Sequence, residues 1–312
     1  MPTAYVYTAI GGPETEAFAE VPEPVPGPGQ LLVRVRAAGV NPADWKRRAG
    51  HLSPGEAPPP LPAVFGREAA GTVEAVGEGV TGFGVGDEVF GQPVGGAYAQ
   101  YVLVPATQAA HKPAALAWTD AAVLPIAAGT AYDGLRQLGL PAGATLLVNG
   151  AGGGVGAIAV QLARHEGLTV IGTASAAKAD FVTSLGAVHV PSGPGVADRV
   201  RAAAPDGLDG LFDLVGGEPL RELAPLLREP AGLITGADRA TAAELGGSGI
   251  VRHRTTEVFG TVGRLAAEGV FSTSVTQVLP FAEAGRALRA VEEGHTRGKI
   301  VLDFDAPDTQ ER

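Results

Sequence analysis

The segment best equipped for chemistry is Thr145-Leu-Leu-Val-Asn-Gly-Ala-Gly-Gly-Gly-Val-Gly156, which runs on into Ala157-Ile-Ala-Val-Gln-Leu-Ala-Arg164. An apolar strand breaks into glycines and re-emerges as an amphipathic helix. Small residues at Ala151, Gly152, Gly153 and Gly154 let phosphate oxygens approach the main chain. Val155 and Gly156 open the helix, and Gly156 lets it pack closely on the strand. The first N–H groups of a helix lack intrahelical partners and lie at the positive end of its dipole, so this turn reads as a pyrophosphate cradle. A chain with 46 Gly in 312 residues produces glycine strings by chance, and it is the strand before and the helix after that make this one specific.

The next strand, Leu168-Thr-Val-Ile-Gly-Thr-Ala-Ser175, ends about twenty residues beyond the turn, where an NAD site places Asp or Glu on the ribose hydroxyls. Residues 167–179 contain no acid. Ser175 and Lys178 offer a hydroxyl and a cation where a 2′-phosphate would sit, so NADPH fits better than NADH. The plainer alternative is that Lys178 only solvates the next helix.

These residues need a frame. From about Thr119, strands and helices alternate: 170–173, 188–190, 210–215 and 232–235 read as strands, 177–185, 196–204 and 218–228 as helices, the pattern of a doubly wound parallel sheet. Before it, Leu31–Arg36, Gly71–Val76 and Ala97–Val104 alternate with period two between Gly and Pro clusters, as in a partly open β-barrel. Leu52 to Pro62, with five prolines, reads as an exposed loop able to border a cleft, and the tail from Asp305 as frayed. After about Val262 the pattern is strand-like and mixed.

A formal charge of −10 argues against nucleic acid or an anionic membrane as partner. No charged n-region precedes an apolar core, which predicts a cytoplasmic protein. Cysteine is absent, which removes thiol nucleophiles, disulfides and every cysteine-ligated zinc site. The six histidines show no H-x-x-x-H spacing, and each reads as a surface or packing residue.

Six ordered blocks carry a family resemblance: Gly39-Val-Asn-Pro-Ala-Asp-Trp-Lys-Arg-Arg-Ala-Gly50, Val64-Phe-Gly-Arg-Glu-Ala-Ala-Gly-Thr-Val73, Val85-Gly-Asp-Glu-Val-Phe90, Ala128-Gly-Thr-Ala-Tyr132, the glycine turn, and the Gly294 to Val301 segment. Through them the chain resembles the zinc-independent quinone oxidoreductase branch of the medium-chain dehydrogenase/reductase superfamily, end to end. The resemblance implies an α/β fold: a GroES-like catalytic domain from both chain ends (1–118 and 263–312), an inserted Rossmann domain (119–262), a cofactor cleft between them, and a homodimer. It implies that Asn41 and Thr130 position cofactor or substrate and that Leu214 and Val215 wall the nicotinamide ribose. Zinc-bearing relatives have Gly-His-Glu where this chain has Gly66-Arg67-Glu68. Where many members of the branch have Tyr, this chain has Lys46, a cation able to stabilise an enolate oxygen or, with Asp44 two residues away, to deliver a proton. His189-Val-Pro-Ser192 replaces a segment whose Tyr stacks near the 2′-phosphate in relatives, which weakens the NADPH expectation.

The expected function is therefore an NADPH-dependent reductase passing hydride, without metal, to a quinone or an α,β-unsaturated carbonyl. Two alternatives stay open: an enoyl-type reductase tailoring a specific secondary metabolite, and a weakly catalytic NADPH sensor or structural protein. An alcohol dehydrogenase is the least expected.

Overall fold

The computed structural model describes residues 1–52, 57–294 and 296–306. Residues 53–56 of the Pro-rich loop, His295 and the tail from 307 lie outside the described residues. The chain divides into two compact units: Met1–Ile126 with Arg254–Ala267 and the C-terminal part from Val275, and Ala127–His253 with Glu268–Ser274. By compactness the chain crosses between the units after Ile126 and before Arg254, and again on either side of Glu268–Ser274. The short helix Trp118–Ala121 packs on the strands Gln30–Val40 and Ala69–Val76, and the helix Thr256–Ala267 packs on Ala109–His111, so both belong with the β-rich unit.

In that unit the strand Gln30–Val40 is the spine. It pairs antiparallel with Ala69–Val76, Tyr101–Pro105 and Lys299–Asp303, which brings the two ends of the chain together. Bulges between Leu32 and Val33 and between Val35 and Ala37 bend it. Glu16–Glu20, Thr3–Tyr7 and Ala63–Val64 form a second, three-stranded sheet. Val33, Val35, Phe65, Val73, Tyr98 and Leu302 share one core. After about Val262 the strand-like and mixed expectation holds, with strands at Val275–Pro280 and Lys299–Asp303, and two helices accompany them, Thr256–Ala267 and Ala284–Glu292. The second buries Ala284, Ala287, Leu288 and Val291, a spacing of 3.6-residue period that alanine-rich composition obscures. The buried Arg48 ties the helix Pro42–Arg48 to it through its Nη2, which donates to both Glu292 oxygens at 2.8 and 3.0 Å, and it also pairs with Glu16.

The other unit is a six-stranded, all-parallel sheet. Along the chain its strands are Thr145–Asn149, Thr169–Ala174, Val188–Pro191, Gly210–Asp213, Leu233–Thr235 and Ser248–Gly249, and in space they follow the order 3-2-1-4-5-6 of a Rossmann sheet. The order reverses between Thr145–Asn149 and Gly210–Asp213, so the crevice beyond the carboxyl ends of those two strands is the topological switch point. Among the described residues no helix is long and apolar enough to cross a membrane.

Candidate active site

At the switch point the turn is made of main chain. The helix Gly154–His165 starts from Gly153, and no side chain caps it, which leaves its first N–H groups for an anion. A Cβ on Gly156 would fall 2.3 Å from the Gly150 carbonyl oxygen, so close helix–strand packing admits only glycine. A Cβ on Gly153 would meet only that carbonyl, at 3.6 Å; the space above it is open. The cradle therefore fits a pyrophosphate. Its neighbours are the predicted ones: the aliphatic stem of Lys178 lies over Gly152, with Cδ 2.6 Å from where a Cβ would stand, while Leu214 and Val215 close over Gly150. Burial lowers the Lys178 ammonium pKa below its ordinary value. Ser175 is exposed immediately after the strand Thr169–Ala174. Thr130 is buried in the first turn of the helix Gly129–Leu138, which packs against the helix of the turn.

Beneath the turn runs a ladder that sequence reasoning missed. Thr173 Oγ1 donates to Asn149 Oδ1 (2.6 Å), Asn149 Nδ2 to Asp213 Oδ1 (2.8 Å), and Thr235 Oγ1 to Asp213 Oδ2 (2.6 Å). The pairs sit in register across four adjacent strands. Asp213 also accepts the N–H groups of Val215 and Gly216, and so fixes the segment that carries Leu214 and Val215. The only available signal was a polar residue at the end of each apolar strand.

The β-rich unit holds a second polar cluster. Lys299 Nζ donates to Glu68 Oε1 (2.9 Å), Asn41 Oδ1 (2.7 Å) and the Val40 carbonyl (3.0 Å). Asn41 Nδ2 donates to Glu68 Oε1 at 2.8 Å, and the other Glu68 oxygen accepts the Ile126 N–H at 2.7 Å. An ammonium only donates, so it fixes the Asn41 amide with its oxygen toward Lys299. A Cβ on Gly39 would fall 2.3 Å from Glu68 Oε1, which is why the Asn-Pro block opens with glycine.

Asp44 joins this cluster from the helix Pro42–Arg48. One of its oxygens, Oδ2, accepts the Asn41 N–H and the Tyr98 hydroxyl, both at 2.9 Å. Burial pushes the Asp44 carboxyl up to about 6, against the lowering pull of those two hydrogen bonds and of the Lys299 charge. Burial, with the Asp44 charge beside it, raises the Tyr98 hydroxyl well above its ordinary value. The expected pairing of Asp44 with Lys46 is corrected. Lys46 is exposed, its ammonium 5.8 Å from the Trp45 ring centroid, because residues two apart on a helix face different ways. Glu68, Tyr98 and Lys299 take the places around Asn41 and Asp44 instead.

The alcohol dehydrogenase GroES-like domain pattern matches residues 27–114, and the zinc-binding dehydrogenase pattern matches residues 185–302. The human synaptic vesicle membrane protein VAT-1 homolog is 33% identical over 95% of this chain and 85% of its own length. The quinone oxidoreductase of Coxiella burnetii superposes with a TM-score of 0.88 at 28% identity, covering 97% of this chain and 99% of that one. The chain belongs to the quinone oxidoreductase branch of the medium-chain dehydrogenase/reductase superfamily. A mycobacterial relative of this oxidoreductase, solved in complex with NADPH, is 31% identical with a TM-score of 0.86, over 97% of this chain and all (100%) of that one.

Proposed function

We propose that this oxidoreductase uses NADPH and delivers hydride directly, with no metal, to a quinone or an α,β-unsaturated carbonyl. The observation that carries the cofactor choice is Lys178 laid against Gly152 at an acid-free strand end, where Ser175 is exposed. The mycobacterial relative solved with NADPH supports it.

The metal-free reading rests on donor chemistry. The chain has no cysteine, and Arg67 stands where a zinc site of this superfamily has histidine. The Glu68 carboxylate is already met by the Lys299 ammonium. When bound, the nicotinamide supplies the hydride. The protein's own part is to hold an acceptor whose new negative charge spreads onto oxygen, and to supply a proton. Asp44 is the group we assign to that proton: it lines a pocket, and its carboxyl holds a proton up to about pH 6. Lys299 and Glu68 fix the Asn41 amide, and Asn41 in turn fixes Asp44 through its N–H. Thr130, Leu214 and Val215 are assigned to the cofactor, and a homodimer is the assembly proposed.

A panel of quinones, enones and alcohols, followed by NADPH absorbance, tests this reading. Oxidation of NADPH by quinones or enones, unaffected by chelator, is the expected result. Tight NADPH binding with no turnover across the panel would favour the sensor reading, and activity lost to chelator would overturn the metal-free one.

A further inference from the structure

The β-rich unit contains a pocket of about 240 Å³ whose walls include Tyr7, Asp44, Phe65, Arg67 and Gln92, with the main chain of Gly95 and Gly96. A site for an entire small-molecule ligand runs to roughly 300–1,000 Å³, so this pocket has room for part of one. Two side-chain oxygens, Asp44 Oδ1 and Gln92 Oε1, are buried there with no hydrogen-bond partner among the described residues. Asp44 is only 3% exposed. Buried acceptors left unmet are rare in native proteins, because each forfeits the hydrogen bonds it made to water. Arg67 supplies the opposite character: it is half-buried and has no ion pair or hydrogen bond among the described residues. The Tyr7 and Phe65 rings, with centroids 4.9 Å apart, give the pocket an aromatic side.

We propose that this pocket is a subsite for a phenolic hydroxyl on the acceptor, the ring lying against Tyr7 and Phe65 and the hydroxyl between Gln92 and Arg67, with Asp44 kept for the proton. A hydroxyl is the small group that matches this lining. It donates its one proton to the unmet Gln92 oxygen and accepts from the Arg67 guanidinium on its own lone pairs. A ketone oxygen serves only Arg67, and a bare ring serves neither. The proposal rests on the reductase reading above and names the substrate class within it: an aryl enone or quinone that carries a free phenol.

The test uses a matched pair of enones, 4-(4-hydroxyphenyl)but-3-en-2-one and 4-phenylbut-3-en-2-one, with NADPH. The parent is expected to favour the phenol in kcat/KM on the order of tenfold, since a site built to hydrogen-bond a hydroxyl discriminates against the analogue lacking it. Gln92→Leu and, independently, Arg67→Met should move that ratio toward one, whereas Gln92→Glu, which keeps an acceptor, should retain it. Binding of p-cresol against toluene, followed by NMR line broadening on the intact protein, reads the subsite without turnover. Cresol binding that Gln92→Leu abolishes, with neither enone reduced, would support the subsite and sink the reductase reading. Reduction of both enones at equal efficiency, with no cresol binding, would sink the subsite and leave the reductase reading standing. A cresol-soaked crystal showing only water on Gln92 Oε1 would also overturn the subsite.

Discussion

The two polar regions of this oxidoreductase are built on opposite principles. The glycine turn of the parallel-sheet unit is made of main-chain groups that are neighbours in sequence and remain open above Gly153. The Asn41–Glu68–Lys299 cluster of the β-rich unit is made of side chains up to 258 residues apart, and its members largely satisfy one another. An open main-chain site tolerates change as long as its space is kept. A closed side-chain cluster depends on every member, because removing one leaves a buried charge unpaired.

Lys299→Met should therefore have the largest effect, destabilising the protein by about 3–5 kcal/mol in urea unfolding. The double variant with Glu68→Gln should recover much of that loss. A Lys299→Met protein as stable as the parent would erase the contrast between the two regions.

Asp44 gives the same cluster a pH signature. Its carboxyl is raised from an ordinary 3.8 to about 6, so the folded protein holds a proton that the unfolded chain has released. Its contribution is full below about pH 4 and is lost as pH rises through 6, about 3 kcal/mol in all. Asp44→Asn should remove that dependence from unfolding curves. Turnover of the parent should also fall as pH rises above about 6, and the variant's profile should be flat and low.

On the open side, Gly153→Val should leave the melting temperature close to the parent's while weakening NADPH binding on the order of a hundredfold, about 2.7 kcal/mol. Gly156→Val, clashing with the Gly150 carbonyl, should lower both. Titration calorimetry with thermal melts separates the two, and equal behaviour would break the distinction between space kept for a ligand and space needed for packing. The smallest effect belongs to Lys178→Ala, which should narrow the NADPH over NADH preference by about tenfold, as one lost charged hydrogen bond would. Equal affinity for the two cofactors in the parent would sink the 2′-phosphate assignment.

What could be read from sequence follows from the same contrast. The turn from Ala151 to Gly156 was legible because its strand, glycines and helix are contiguous, and the alternation after Thr145 announced a parallel sheet. Lys178 was legible because a fixed distance separates it from the turn. Lys299 and Tyr98 were not, because no local pattern marks a lysine at the start of a C-terminal strand as the partner of Glu68. The Asp44–Lys46 expectation came from adjacency in sequence, and helix geometry turned the two side chains apart. The helix Ala284–Glu292 was legible in principle, through its period, but alanine and arginine blur the apolar stripe.

The sequence by itself determined the fold class, the glycine cradle, the acid-free strand end beside it and the lack of any thiol ligand. These depend on residue type and short-range order, which chain connectivity preserves. Only the tertiary structure decided which charges neutralise one another in the β-rich core, why the Asp44 carboxyl is raised, and that Asp44 and Gln92 face one pocket with acceptors unmet. Burial and pairing are properties of neighbours in space, and the antiparallel spine Gln30–Val40 creates those neighbours by drawing the two ends of the chain together.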